Sequence, residues 1–195
     1  MARPKKTERQ TDAYERLQQA FWSELEEKPL EKITVTEVTR IAQVNHNTFY
    51  YYFDNLEDMI QKLVKEIMPS NFGELLIPTL LNPTAHSNGA LIVPDIESRF
   101  QKLCILIRRA SPSIESILRN AAIQNWLGAI QIEMKDLNEE EYTYLVFLFG
   151  GLFALIKENK IVIYQDIIEI INGITGRFAR TLMRTIIENH LKNPL

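Results

Sequence analysis

Asn45, His46, Asn47 and Thr48 stand in a row, and Tyr50 and Tyr51 follow after a phenylalanine. Each of these side chains carries a hydrogen-bonding group. Asparagine suits the edge of adenine, and threonine suits a phosphate or a thymine methyl group. Tyrosine hydroxyls reach backbone phosphates, contacts that position a protein on a duplex without reading its sequence. The chemistry on offer is recognition by hydrogen bonding, not the making or breaking of bonds. No nucleophile–base pair or paired-carboxylate motif stands out elsewhere, so no enzymatic activity is expected. His46, His86 and His190 are far apart in sequence, with no carboxylate or cysteine at metal-ligand spacing. Neither a metal nor a cofactor is expected.

A helix that reads bases must offer its N-terminal half while its C-terminal half is anchored in the domain. Asn45 predicts an N-cap for a helix over His46–Tyr52. Phe49 and Phe53, at i and i+4, supply the anchors. The preceding helix starts at Thr34, where Glu37 three residues on completes a capping box, and it carries Val35, Val38, Ile41 and Ala42. Gln43-Val44 makes the turn. A first helix over about Thr11–Lys28 has Leu17, Ala20, Phe21 and Leu25 on one stripe and is stopped by Pro29. Asp54-Asn55 breaks the third helix and caps a fourth, Leu56–Met68, with Met59, Ile60, Leu63 and Ile67 on one face. Two short helices joined by a tight turn and flanked by amphipathic ones read as a helix-turn-helix, a DNA reader.

With only 7 Gly and 8 Pro in 195 residues, and many Leu, Ile and Glu, the whole chain favours helix. Pro69, Pro78, Pro83 and Pro94 mark residues 69–93 as loop with a short helix at most. The expected domains are therefore 1–68 and 69–195. Further helices are expected at Asp95–Arg109, Ser113–Met134, Asn138–Asn159 and Tyr164–Lys192. The fold class expected is all-α: an N-terminal three-helix DNA-binding domain joined to a C-terminal helical bundle. The last two helices are the most apolar. Tyr144, Leu145, Leu148, Leu152 and Leu155-Ile156 form one stripe. Ile167-Ile168, Ile170-Ile171, Ile174, Phe178, Leu182 and Ile186 form another. Such a pair fills one core or builds a two-fold interface. Gly150-Gly151 and Gly173/Gly176 mark either close helix approach or kinks.

The formal net charge is −3, so bulk charge gives no support for nucleic-acid binding. Residues 1–68 hold 10 Lys/Arg against 12 Asp/Glu. The tail Met1–Gln10 is locally basic, with Arg3, Lys5, Lys6 and Arg9 against Glu8, and is suited to phosphate contacts. Cys104 is the single cysteine, which fits a reducing cytoplasm. No apolar run opens the chain, so no secretory signal is expected. The longest uncharged stretch, Tyr142–Ile156, spans roughly 22 Å as a helix, short of a ~30 Å hydrocarbon core. No membrane association is expected.

The run Thr34-Val35, Ala42, Val44, Thr48-Phe49-Tyr50-Tyr51-Tyr52-Phe53 resembles the signature of the TetR family of bacterial transcriptional regulators. The specific likeness covers about Leu17–Leu63; the remainder is alike only in being helical. The resemblance implies that Thr34, Val35 and Thr36 open a helix whose backbone amides face a phosphate. It implies that Asn45, His46 and Asn47 approach bases and that Thr48, Tyr50 and Tyr51 touch phosphates or bases. It further implies a homodimer through the two C-terminal helices, a palindromic double-stranded operator, and repression relieved by a small-molecule effector within the C-terminal bundle. Phe100, Cys104, Trp126, Phe147 and Phe149 are the candidate effector contacts. Gln43 and Pro29 stand where the family usually has glycine. His46 and Leu56 stand where it often has lysine. A regulator working mainly through protein contacts, with reduced DNA reading, is the alternative.

Overall fold

A computed structural model describes residues 6–68 and 95–191, with side chains described over 12–68 and 95–190 except at 171, 174 and 175. Among the described residues the protein is all-helical: α1 Lys6–Glu27, α2 Val35–Ile41, α3 His46–Tyr52, α4 Leu56–Ile67, α5 Ile96–Arg109, α6 Pro112–Ala129, α7 Glu139–Lys157, α8 Tyr164–Asn172 and α9 Ile174–Leu191. Short 3₁₀ turns occupy Leu30–Lys32 and Met134–Asp136. No helix among the described residues is long and apolar enough to cross a membrane. The chain divides into two compact units, Met1–Glu66 with Arg109–Ser111, and Ile67–Arg108 with Pro112–Leu195. The expected basic contacts of Arg3 and Lys5, the expected loop at 69–93 and His86 lie outside the described residues.

In the first unit the apolar stripe of α1 is buried as expected, with Leu17, Phe21 and Leu25 fully enclosed. Val38 from α2, Phe49 from α3, Phe53 just beyond it, and Met59 and Leu63 from α4 complete the core. Helix α1 begins at Lys6, earlier than Thr11. Residues 6–11 are polar helix formers without a breaker, so a reading keyed to apolar spacing misses them.

The second unit is built from α5 to α9 and buries Phe100, Cys104, Leu106, Ile107, Leu118, Ile123 and Trp126 together with Leu145, Phe149, Phe153 and Ile156. Four expectations need correction here. Helix α6 stops at Ala129, short of Met134, because Gln131 turns left-handed (φ 59°) and the Ile132 amide donates back to Leu127 O at 3.1 Å. The final segment is two helices. Gly173 ends α8: its backbone turns extended, φ −80° and ψ −168°, while its amide still donates to Glu169 O at 3.0 Å and to Ile170 O at 3.2 Å. The core face of α7 is Glu141, Leu145, Phe149, Phe153 and Ile156, rotated from the expected stripe, and Phe147 is exposed. Helix α7 is apolar nearly all round, so periodicity could not choose its inner face. In α9 the buried side is Ala179, Met183 and Ile186, while Phe178 faces outward.

Arg108 ties the end of α7 in place, donating from Nε to Ile156 O at 3.0 Å and from Nη2 to Ile161 O at 2.9 Å. At the start of α7, the buried Glu141 carboxylate accepts from the Asn138 amide at 3.0 Å and from Asn189 Nδ2 at 2.9 Å. His190 Nε2 lies 3.2 Å from it, so this histidine does have a carboxylate partner, far away in sequence. Burial pushes the Glu141 carboxyl up, but the bonds from Asn189, Asn138 and His190 outweigh it and hold it below its ordinary value. A carboxyl depressed in the fold stabilises it above the unfolded-state value near ~4.3, and that stability is lost as pH falls through the folded value. Glu141→Gln should therefore cost about 1–3 kcal/mol in urea unfolding at pH 7 and much less near pH 3.5. An equal gap at both pH values would contradict this assignment.

Candidate nucleic-acid interface

Helix α2 starts with both halves of a capping box. Thr34 Oγ1 accepts from the Glu37 amide at 3.3 Å, and the Thr34 amide donates to Glu37 Oε2 at 3.2 Å. Lys28 Nζ sits 2.8 Å from Glu37 Oε1, and Lys28 also pairs with Glu24. The Lys28 and Thr34 bonds hold the Glu37 carboxyl below its ordinary value. The negative charge at this helix start is thus offset by an ammonium from outside α2.

The turn after α2 is a Schellman motif. The Val44 amide donates to Thr39 O at 3.0 Å and the Gln43 amide to Arg40 O at 3.2 Å. Gln43 takes φ 54°, the left-handed conformation that favours glycine. Arg16 Nη1 reaches Gln43 O at 3.5 Å from α1. A side chain in this region costs about 1–2 kcal/mol. Glycine removes that cost but gives back about 0.5–1 kcal/mol of chain entropy. Gln43→Gly should therefore stabilise the protein by about 0.5–1 kcal/mol in chemical denaturation; a loss of stability would mean that the glutamine side chain has a role of its own.

The N-cap of α3 is Asn45, whose Oδ1 accepts from the Asn47 amide at 2.9 Å. Phe49 and Phe53 are 0% and 1% exposed, with ring centroids 5.2 Å apart. This pair fixes the roll of the helix. Asn45, His46, Asn47, Tyr50 and Tyr51 are exposed as a result, and Thr48 is half-buried. The rings of His46 and Tyr50 meet edge-on at 5.3 Å, and those of Tyr51 and Tyr52 at 4.9 Å. Thr34 and Thr36 are exposed at the start of α2, and Val35 is half-buried. Sequence reading passed over Arg40. It is exposed, and it lies one turn beyond Thr36 on the same side of α2. Its i+4 relation to Thr36 was the signal that could have found it.

Tyr14 steadies the other end of α3. It stacks on Phe53 at 5.5 Å and meets Tyr52 edge-on at 5.4 Å. Its hydroxyl donates to Glu66 Oε1 at 2.6 Å, and Gln18 Nε2 donates to Glu66 Oε2 at 2.6 Å. Burial and the Glu66 carboxylate push the Tyr14 hydroxyl up to about 12. An open groove of about 320 Å³ between α1 and the end of α2 is lined by Arg16, Gln19, Ala20, Ser23, Ile41, Ala42 and Gln43, and by none of the polar residues of α3.

Of the candidate effector contacts, Phe100, Cys104, Trp126 and Phe149 are buried and Phe147 is 67% exposed. Phe147 meets Phe178 of α9 instead, with ring centroids 6.2 Å apart. Burial pushes the Cys104 thiol up to about 11, which leaves it a packing group and not a nucleophile. Trp126 Nε1 is buried with no hydrogen-bond partner among the described residues. No group of three or more His, Cys, Asp or Glu among the described residues is placed to hold a metal ion. Comparison with protein-family models, with curated proteins and with solved structures found no match.

Proposed function

We propose that the protein is a DNA-binding transcriptional regulator of the TetR type, a repressor that grips a palindromic operator as a homodimer. The observation that carries this reading is α3: a short helix whose anchors Phe49 and Phe53 are wholly buried while Asn45, His46, Asn47, Tyr50 and Tyr51 stand in solvent. Burial of that kind aims a row of hydrogen-bonding groups outward at fixed roll, which base reading needs. Thr34, Val35 and Thr36 take the adjoining phosphate through the start of α2, with Thr48 on the flank of the groove. The dimer forms through the outward sides of α7 and α9, where Phe147 and Phe178 are exposed. Gly150 and Gly151 leave open space around the position a Cβ would fill, room for a second copy's helix to approach. A small-molecule effector is taken by the C-terminal bundle near Trp126, whose buried indole N–H has no hydrogen-bond partner among the described residues.

Selection of bound sequences from random double-stranded DNA tests the reading. The expected product is a palindrome with half-sites about 34 Å apart, one helical turn or a multiple of it. No enrichment over unselected DNA would reject it. A second reading, regulation mainly by protein contact, is favoured by Lys28 and Lys62. Each is tied to a carboxylate inside the unit, which lowers the charge left for phosphates.

A further inference from the structure

We propose that Lys62 is a positioning residue for α3: it caps the C-terminus of that helix, fixes its exit into α4, and makes no contact with DNA itself. The inference rests on the reading of α3 as the recognition helix.

Helix α3 has only 7 residues. A helix this short is not stable alone, and its last carbonyls have no partner within it. Lys62 Nζ, from the middle of α4, donates to Tyr52 O at 2.7 Å. A cation at this end also complements the helix dipole. The same ammonium donates to Asp58 Oδ2 at 2.9 Å and lies 5.4 Å above the Phe53 ring. Asp58 Oδ2 in turn accepts the Asp54 amide at 3.0 Å, and the Asp58 amide donates to Asn55 Oδ1 at 2.9 Å. The chain turns from α3 into α4 through an extended Phe53, φ −139° and ψ 134°. One lysine thus joins the last carbonyl of α3, the ring that anchors it and the carboxylate that caps the corner. Lys62 holds the Asp58 carboxyl below its ordinary value, with the Asp54 amide adding to the effect. A phosphate could recruit this ammonium only by drawing it away from a carboxylate and a carbonyl.

Lys62→Met keeps the apolar stem and removes the charge and the donors; Lys62→Arg restores both. Binding of the selected operator would be measured across a salt series, and amide hydrogen exchange of Phe53 and Asp54 would be followed in the free protein. Lys62→Met should weaken operator binding about tenfold. Its salt slope should stay that of the parent, both amides should exchange faster, and Lys62→Arg should recover most of the affinity. A slope lowered by about one per subunit would make Lys62 a phosphate contact and overturn the proposal. Unchanged affinity with unchanged exchange would overturn it as well. If the parent binds no DNA, the functional reading fails by itself, and unchanged exchange in Lys62→Met would then also remove the cap.

Discussion

Phe147→Asp and Phe178→Asp, made together, should convert the proposed dimer into a monomer at micromolar concentration. Phe147 is 67% exposed and Phe178 53% exposed, and they touch across α7 and α9. Each ring is a large apolar surface left to water by its own chain. Burying such a side chain is worth about 1.5–3 kcal/mol, and half-exposed rings contribute roughly half of that. A two-fold interface counts each residue twice, so about 3–6 kcal/mol is lost before the introduced carboxylates are considered. Four buried like charges add to the cost. The dissociation constant should rise by a factor of about a thousand or more. Sedimentation velocity across a concentration series reads the outcome. Circular dichroism should change little, because neither side chain lies in the core. A dimer that survives both substitutions would place its interface on another face, and a parent that is monomeric at all concentrations would remove the dimer altogether.

The same face shows how far the sequence could be read. Caps were legible because they are local: Thr34 and Glu37, three residues apart, form the box their types imply, and Asn45 caps α3. The Phe49–Phe53 anchor was legible because its neighbours are polar, so only one side of α3 could be buried. Helix α7 offered no such contrast. With apolar residues nearly all round, its inner face is set by what α6 and α9 present to it, and Phe147 was misassigned for that reason. The pairing of Glu141 with His190 and the reach of Lys62 back to Tyr52 escaped for a related reason. Both depend on how helices pack, which spacing within one helix does not encode. The left-handed conformation of Gln43 was signalled only by the resemblance, in which glycine usually stands at that position.

Tyr50→Ala and Tyr51→Ala should each weaken operator binding by tenfold to a hundredfold while leaving the fold intact. Tyr50 is 52% exposed and Tyr51 68% exposed, so truncation removes little core contact. The parts that anchor α3, Phe49 and Phe53 with Tyr14 stacked behind them, are untouched. A hydroxyl bonded to a phosphate oxygen is a charge-assisted contact worth about 1.5–3 kcal/mol. Each subunit supplies one copy, so partial loss at both half-sites reaches the stated range. The phenylalanine variants separate ring from hydroxyl. Tyr50→Phe should lose most of the affinity if the hydroxyl bonds phosphate, and little if the ring's edge contact with His46 is what matters. Because tyrosine is neutral, the salt slope should stay constant in all four variants, whereas Arg40→Gln should lower it if that guanidinium reaches a phosphate. Fluorescence anisotropy on the selected operator, with urea unfolding as the control for stability, measures both quantities. Parental affinity in both alanine variants, with the fold intact, would mean that the exposed side of α3 does not face DNA.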